Sequence, residues 1–294
     1  MIEAADLEAL EAAVGDALRT RDASRLCLLG HGEISLALGW PAENPRFACK
    51  RLPPFDSLDA YAAYASVVEH YIGELRRRGV RVVETELMSL RRTDGRVIGF
   101  HIQPALAPET LGLEILRRST PSADHPFVRS VIDVVARGTG DCIGIDAQFS
   151  NWSWMDGEPW LLDLTTPFVL DERDQPGFDM TPFLAALPAV IRPIVRREMI
   201  KLLPRFLTIR GTLLDLTANT IKANLDGWVE PVLACVNGHV DPPVTYAEAH
   251  RVYKSDRSTF NLILRLERAN RFCQERIRRR RYEFLLPEST TYES

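Results

Sequence analysis

The sequence predicts an α+β protein in which strands and helices are segregated along the chain. Between residues 25 and 102, short apolar runs alternate with turn residues, which is typical of antiparallel strands. From residue 181 to about 284, the hydrophobic pattern is almost wholly helical. Because the strands come first and most helices last, we expect a small antiparallel sheet followed by a larger helical part, and not a doubly wound sheet.

Composition and charge exclude several classes of protein. Of the 294 residues, 46% are hydrophobic and 26% are charged, which is close to the average for globular proteins and argues against disorder. The net charge of −4 divides equally at residue 103, so we expect no nucleic-acid-binding domain of basic character in either part. No apolar run approaches the ~18 residues that a membrane span needs.

Cysteine usage and the N-terminus indicate a cytoplasmic protein. The five cysteines are odd in number and include no CxxC pair, so neither a disulfide framework nor a zinc knuckle fits. Reduced thiols are typical of the cytosol. The N-terminus is acidic and lacks the basic start of a signal peptide. The oligomeric state leaves no recognisable pattern in the sequence.

The first elements follow from the spacing of their apolar residues. Residues 3–19 show the three- and four-residue spacing of an amphipathic helix. Three apolar runs at 25–29, 34–39 and 47–52 predict strands. Prolines and an asparagine between 41 and 45 predict the turn that separates the last two of these strands.

The strongest helical pattern covers residues 58–75. Ser57 can cap its first turn, and the basic run 76–78 followed by Gly79 is typical of a helix end. We therefore expect this helix to be the main helix of the N-terminal part and to pack against the sheet.

One hairpin and two shorter helices are predicted after the main helix. Asp94-Gly95 lies between apolar runs at 80–90 and 96–102, which is a strong hairpin signal. A short helix near 111–118 and a helix over 127–137 follow. The chain thus changes from mostly strand to mostly helix soon after residue 102.

Two glycines follow the first predicted strand, in the segment Gly30-His31-Gly32, and Ser35 comes shortly after them. Glycines in such a turn allow backbone amides to approach phosphates closely. A tight hairpin explains the two glycines equally well, so both interpretations stay open.

Lys50 lies on the third predicted strand, and Glu69 flanks the buried face of the main helix. A lysine here could contact nucleotide phosphates as a compact cation, and it is one of only four lysines in the chain. Glu69 could reach inward to form an ion pair with it. The alternatives are a solvated strand lysine and an exposed helix glutamate.

The most specific pattern is formed by Asp146, Asn151 and Asp163. A predicted hairpin that turns at Asp156-Gly157 would bring Asp163 back beside Asn151, and thus near Asp146. Two carboxylates and a carboxamide supply hard oxygen ligands or proton acceptors, which suit Mg²⁺ and phosphates. The alternative is a capped turn with surface aspartates, although Asp163 ends an apolar strand where exposure is not an obvious reason for it.

Taken in order, these features resemble the protein-kinase-like superfamily, on the side of the aminoglycoside phosphotransferases and choline kinases. That family has a glycine-rich hairpin, a third-strand lysine, a helix glutamate, Asp-x-x-x-x-Asn and a later aspartate, and this chain supplies each part between residues 26 and about 170. The resemblance implies a two-lobed kinase-like fold. Residues 1–103 would form the nucleotide-binding lobe of sheet and one main helix, and residues 104–294 a helical lobe with the catalytic loop, metal site and acceptor site.

The resemblance also implies a role for each matching residue. Lys50 would contact the α- and β-phosphates of ATP and pair with Glu69, and Asp146 would accept the proton of the substrate hydroxyl. Asn151 and Asp163 would hold Mg²⁺. The remaining nucleotide contacts would come from Gly30, Gly32, Ser35 and the backbone at Gln103.

The chain departs from the family pattern at several positions. Gly144 stands where the family usually has a histidine, and Ile145 where protein kinases have an arginine. Ser35 replaces the third glycine of the loop, Leu164 follows the late aspartate in place of phenylalanine, and no Ala-Pro-Glu segment is present. The missing arginine and Ala-Pro-Glu segment argue against an ordinary protein kinase.

The leading hypothesis is an ATP- and Mg²⁺-dependent phosphotransferase that transfers the γ-phosphoryl group to a hydroxyl of a small molecule. Gly144 and Ser35 motivate a second hypothesis, a kinase-like pseudoenzyme that binds nucleotide or acts as a scaffold. A third is nucleotidyl transfer on the same fold, which would leave AMP rather than phosphate on the product. The acceptor site would be built by residues 181–284, which carry no motif that identifies the acceptor.

Overall fold

A computed structural model of the chain describes residues 2–31, 36–280 and 282–286. A five-stranded antiparallel sheet forms the N-terminal part, and the part that follows is mostly helical. The predicted α+β fold class is therefore confirmed. Gly32 and Ser35 lie outside the described residues, so their predicted contact with phosphates stays a prediction.

The regular elements are numbered in chain order. The helices are α1 Ala4–Thr20, α2 Leu58–Arg77, α3 Gly112–Arg118, α4 Pro126–Gly138, α5 Arg192–Phe206, α6 Ile209–Lys222, α7 Asp226–Val236 and α8 Tyr246–Phe272. The strands are β1 Cys27–His31, β2 Leu36–Trp40, β3 Phe47–Phe55, β4 Arg81–Val82, β5 Glu86–Arg91, β6 Val97–Pro104, β7 Trp152–Met155 and β8 Glu158–Leu161. None of the helices in the described part of the chain has the length and hydrophobicity needed to span a bilayer.

The main sheet has the strand order β1-β2-β3-β6-β5, and each neighbouring pair is antiparallel. β5 and β6 form the hairpin that the sequence predicts, and Gly95 in its turn has a φ of +86°, which glycine adopts readily. β3 lies in the middle of the sheet. Lys50 faces Ala37 of β2 and His101 of β6 in the register, so both neighbouring strands fix its position.

The predicted strand over 80–90 divides into two strands that belong to different sheets. β4 pairs in parallel with β8, and together with β7 they form a second, three-stranded sheet. The reason is that Val82 pairs with Leu161 of the later hairpin, a long-range contact that local spacing cannot reveal. β4 comes before the predicted lobe boundary at residue 103, but the strands of its sheet, β7 and β8, come after it. The boundary itself stays a prediction.

α1 and α2 pack against opposite faces of the main sheet. Buried residues of α1 contact one face, where Leu38, Ile98 and Phe100 have almost no exposed surface. Successive residues of a strand point to opposite sides of a sheet, so the alternate residues of these strands face the other way. α2 packs on that second face. Its predicted cap is confirmed, since Oγ of Ser57 accepts a hydrogen bond from the backbone N–H of Ala60 at 3.1 Å.

The largest core lies where α2, α4 and α6 meet the β7–β8 hairpin. Val131 and Val135 of α4 have no exposed surface, and burying a side chain of this kind contributes about 1.5–3 kcal/mol. Trp152 of β7 is equally buried, and its Nε1–H donates to the carbonyl oxygen of Ala147 at 3.2 Å. This core therefore anchors the loop that carries Asp146.

The helical pattern that was predicted to reach residue 284 ends earlier. α8 ends at Phe272, and a short π-helical turn follows it. Residues 282–286 have no regular secondary structure and return toward the main sheet. We refer to this segment as the C-terminal strap.

The C-terminal strap bonds to both parts of the molecule. The carboxylate of Glu283 accepts hydrogen bonds from Arg92 at 2.6 Å and from Arg96 at 3.1 Å, both of which lie at the β5–β6 hairpin. The hydroxyl of Tyr282 donates to the carbonyl oxygen of Ala186 in the helical part at 3.1 Å. The strap therefore joins the sheet to the helical part at a second place, far along the chain from β6.

Candidate active site

Asp146 lies in a loop that is fixed on both sides. Its neighbours Ile145 and Ala147 have no exposed surface. The side chain of Gln148 donates hydrogen bonds from Nε2 to both carboxylate oxygens of Asp146, at 3.0 and 2.8 Å. The buried neighbours hold the backbone and Gln148 holds the carboxylate, so Asp146 has a defined orientation.

The pKa of Asp146 is raised to about 6. Burial is the main cause and the charge of nearby Asp163 adds to it, whereas the hydrogen bonds from Gln148 lower the pKa. The two carboxyl groups are therefore electrostatically coupled. A carboxyl group with this pKa can take up and release a proton near neutral pH.

Asn151 ties the Asp146 loop to the end of the β7–β8 hairpin. It ends the 3-10 helix Phe149–Asn151, and its Nδ2–H donates to the backbone carbonyl of Asp146 at 3.2 Å. Its own backbone carbonyl accepts a hydrogen bond from the N–H of Leu162 at 2.8 Å. Since Leu162 immediately precedes Asp163, the predicted proximity of these three polar residues follows from two hydrogen bonds.

Lys50 and Asp163 form an ion pair between the main sheet and the helical part. Nζ of Lys50 lies 2.7 Å from Oδ1 of Asp163, with the side chains 19% and 30% exposed. The same oxygen accepts a hydrogen bond from the N–H of Thr165 at 2.9 Å. Burial raises the pKa of Asp163, but the charge of Lys50 and these hydrogen bonds outweigh it and lower the pKa to about 2. Asp163 is therefore ionised at every physiological pH.

The side chains at this point fit a magnesium ion. Asp163 is ionised, and the amide oxygen of Asn151 is a hard ligand of the kind that Mg²⁺ prefers. Over residues 2–31, 36–280 and 282–286, no three or more His, Cys, Asp or Glu side chains come together as a metal site. A bound Mg²⁺ would therefore depend on phosphate oxygens and water for the rest of its ligands, as is usual for this ion.

Glu69 is not brought to Lys50, contrary to the predicted ion pair. Its side chain is exposed, whereas that of the preceding residue, Val68, is fully buried. Neighbouring residues of a helix point roughly 100° apart, so Glu69 turns away from the sheet when Val68 faces the core. Lys50 pairs with Asp163 instead.

Gln103 links the main sheet to the residue before Asp163. Its side chain is buried, and Nε2 donates to Oγ1 of Thr85 at 2.9 Å and to the carbonyl oxygen of Leu162 at 2.8 Å. Gln103 thus has a structural task that the sequence did not predict. The predicted contact of its backbone with the nucleotide stays a prediction.

Gly30 lies in β1 where the register with β2 shifts at a bulge. Apart from its chain neighbours, no atom of the described residues would lie within 4 Å of a Cβ atom at this position, and its φ is not positive. Among the described residues, neither crowding nor backbone conformation requires a glycine here, and both interpretations stay open because the turn after β1 lies outside the described residues. Its contact with phosphates stays a prediction.

Comparison with known proteins assigns the chain to a family. A family model described as "Family of unknown function (DUF6206)" matches residues 9–271. The chain belongs to this family. No curated protein gives a significant match. Of the solved structures, 80 chains match, and one is amicoumacin kinase hAmiN in complex with AMP-PNP, Ca²⁺ and Ami. It is 11% identical over 83% of this chain and 99% of its own, with a TM-score of 0.32, and we draw no conclusion from so low a score.

One residue of the candidate site, Gln148, is not predicted from the sequence. Gln148 donates to both carboxylate oxygens of Asp146, a contact that the Asp-x-x-x-x-Asn pattern does not predict. A signal was present, because Gln148 is a polar residue between Ala147 and Phe149, two apolar residues that are both buried. The position alone does not say which neighbour its amide would contact.

Proposed function

We propose that this protein is a phosphotransferase that uses ATP and Mg²⁺ to transfer the γ-phosphoryl group to a hydroxyl of a small molecule. The observation that carries the proposal is the ion pair of Lys50 and Asp163 at 2.7 Å, with the Asp146 loop linked to it through Asn151. This arrangement joins a lysine of the sheet to the two acidic loops. The resemblance to kinase-like phosphotransferases implies the same residues, although it implies Glu69 rather than Asp163 as the partner of Lys50.

The different surroundings of the two aspartates support different roles for them. The pKa of Asp146 is about 6, and that of Asp163 is about 2. Two neighbouring carboxyl groups whose pKa values are driven apart are typical of sites where one acts as an acid or base and the other stays charged. Asp146 would be the base, and Asp163 the permanent anion.

The residues of the site supply the parts that phosphoryl transfer needs. Asp146 would accept the proton of the acceptor hydroxyl, and Gln148 keeps its carboxylate oriented. A carboxylate oxygen can accept more than one hydrogen bond, so this contact leaves a place for the hydroxyl. Lys50 would bind phosphate oxygens as a compact cation. Mg²⁺ held by Asn151 and Asp163 would neutralise charge on the phosphates.

Nucleotide binding is the first test of the proposal. We expect ATP with Mg²⁺ to raise the Tm, because a ligand at 100 times its Kd stabilises the native state by about 2.7 kcal/mol. For a protein of this size, the rise is roughly 5 °C. The variant Asp163→Asn should lose the Mg²⁺-dependent part of the rise, because an amide carries no charge to hold the metal ion.

The matched control is Asp156→Asn in the turn between β7 and β8. Asp156 is exposed and has a φ of +53°, a conformation that asparagine also adopts, so this variant removes a carboxylate without touching the site. The proposal is wrong if ATP gives no rise in the wild type, or if Asp163→Asn behaves like the control. ADP formation with a panel of hydroxyl-bearing small molecules then measures transfer itself.

The pKa of Asp146 predicts how the reaction depends on pH. The raised pKa keeps the carboxyl protonated below about pH 6, so the base is present only above that pH. We expect kcat/KM to rise with pH up to about 6 and then to level off. The measurement is ADP formation at saturating Mg²⁺ across this range. A profile that is flat through pH 6 would contradict the assignment of Asp146 as base.

A nucleotide-binding protein without turnover is the second candidate. The observation that favours it is the exposure of Glu69, which leaves Lys50 paired with Asp163 rather than with a helix glutamate. This candidate predicts the same Mg²⁺-dependent rise in Tm. It is distinguished by ADP formation that does not exceed the background rate with any acceptor in the panel.

A further inference from the structure

Three tyrosines on one face of α2 bond to three other segments of the chain. Tyr61, Tyr64 and Tyr71 are buried, and their spacing of three and seven residues places them on the same side of the helix. Phenylalanine would serve equally well for packing, so the hydroxyl groups need a further explanation. Each hydroxyl donates to a backbone carbonyl oxygen at 2.8 Å, and the acceptors are, in order, Met88, Thr165 and Gly144.

Tyr64 fixes the turn that follows Asp163. Its hydroxyl donates to the carbonyl oxygen of Thr165, and the N–H of Thr165 donates to Oδ1 of Asp163 at 2.9 Å. Nζ of Lys50 lies 2.7 Å from the same oxygen. The Asp163 carboxylate is therefore held from the sheet by Lys50 and, through Thr165, from the helix by Tyr64.

His101 of β6 supports Tyr64 from the sheet. Its Nε2 lies 3.1 Å from the hydroxyl oxygen, and the two rings are stacked. Because the single hydroxyl hydrogen of Tyr64 is used on Thr165, the N–H of His101 donates and the hydroxyl oxygen accepts. Burial and the charge of Lys50 lower the pKa of His101 to about 3, so this donor is a neutral imidazole. Tyr64 is thus fixed by two hydrogen bonds.

Tyr71 fixes the loop that carries Asp146. Its hydroxyl donates at 2.8 Å to the carbonyl oxygen of Gly144, two residues before Asp146. Burial raises the pKa of Tyr71, and the charges of Asp146 and Asp163 raise it further, so the hydroxyl stays protonated and remains a donor. Gly144 is the position at which the family that this chain resembles usually has a histidine.

We infer that Tyr64 and Tyr71 are positioning residues of the proposed active site. Each acts through the backbone of a loop, Tyr64 on the placement of Asp163 and Tyr71 on the placement of Asp146. The inference rests on the proposed function, because it assigns these hydroxyls to the geometry of phosphoryl transfer. Together they hold the two loops in place. In this chain Glu69 is exposed and Gly144 stands in place of a histidine, so neither position can do this.

Three variants that replace tyrosine by phenylalanine test the inference. Tyr71→Phe should lower kcat about 10- to 100-fold with little change in the KM for ATP, because small displacements of a reacting group have effects of this size. Tyr64→Phe should instead raise the KM for ATP with Mg²⁺ and reduce the Mg²⁺-dependent rise in Tm. Tyr61→Phe is the matched control, since its acceptor Met88 lies in β5, and it should keep wild-type kcat and KM.

The outcomes separate positioning from folding and from the proposed function. Each variant loses one buried hydroxyl, so each should have a lower Tm without nucleotide, and Tyr64→Phe should have the lowest because it loses two hydrogen bonds. The inference is overturned if Tyr64→Phe and Tyr71→Phe match Tyr61→Phe in kcat and KM, or if all three variants lose activity equally. In either case, an active wild type would still support the proposed function. A wild type that neither binds ATP nor forms ADP overturns both.

Discussion

Asp146→Asn is expected to lower kcat by a factor of about 10² to 10⁴, the usual contribution of a general base. Asparagine has nearly the same shape, and its oxygen can still accept a hydrogen bond from Gln148, but it cannot take up the proton of the acceptor. The rise in Tm with ATP and Mg²⁺ should persist, because the charge of Asp163 is unchanged. The measurement is ADP formation at saturating ATP, beside the thermal shift.

The two readouts separate the possible roles of Asp146. Wild-type kcat in Asp146→Asn would exclude this residue as the base. Loss of the Mg²⁺-dependent thermal shift together with kcat would instead place Asp146 among the metal ligands. Asp156→Asn serves again as the control for removal of one carboxylate from the same part of the chain.

Gly144→Ala is expected to reduce the free energy of unfolding by about 1–3 kcal/mol, the usual effect of overfilling a packed site. A Cβ atom on Gly144 would overlap the carbonyl oxygen of Phe206 and would lie 3.0 Å from Cβ of Phe168. The rings of Phe168 and Phe206 are stacked 4.6 Å apart, and the N–H of Gly144 donates to the carbonyl of Phe168, so neither neighbour has room to move. Activity should fall as well, because Asp146 lies two residues further on.

Gly73→Ala is the matched control for this variant. Gly73 lies on the exposed side of α2, and a Cβ atom there would meet nothing within 4 Å. Alanine within a helix is roughly 0.5–1 kcal/mol more favourable than glycine, so this variant should be slightly more stable than the wild type. Urea unfolding of both variants measures the difference. Equal stability of the two would show that the contact of Gly144 with Phe206 is not restrictive.

The packing around Gly144 changes the meaning of the missing histidine. From the sequence alone, its absence was a reason to consider a protein without turnover. In the structure, the end of α5 occupies the place that any side chain at this position would need. The glycine therefore follows from the packing of α5 against the loop, and it is not by itself a sign of lost activity.

The sequence predicts those parts of the fold and of the site that depend on the local pattern of residues. The Asp94-Gly95 turn and the cap at Ser57 are local signals, and both appear as expected. The proximity of Asp146, Asn151 and Asp163 follows from one tight hairpin between them. A short connection leaves few possible paths for the chain, so spacing alone is sufficient to bring these residues together.

The parts that could not be predicted depend on the rotation of a helix or on distant segments. The apolar stripe of α2 places Glu69 beside the buried face, but it does not say on which side of the stripe the sheet lies. In the structure, the buried face of α2 is shifted by one residue from the predicted stripe, so Glu69 is exposed and Tyr64 is buried. The pairing of Val82 with Leu161 and the bond from Gln103 to Leu162 join segments that are far apart in sequence.

The C-terminal strap has a consequence for the synthesis of the protein. Arg92 and Arg96 lie in the turn between β5 and β6 of the main sheet, but their partner Glu283 follows nearly the whole helical part of the chain. At about 5–20 residues per second, the ribosome needs roughly 10–40 s to make the segment between them. The sheet therefore emerges with these two arginines lacking Glu283, and their contact with the strap forms only after the helical part has been made.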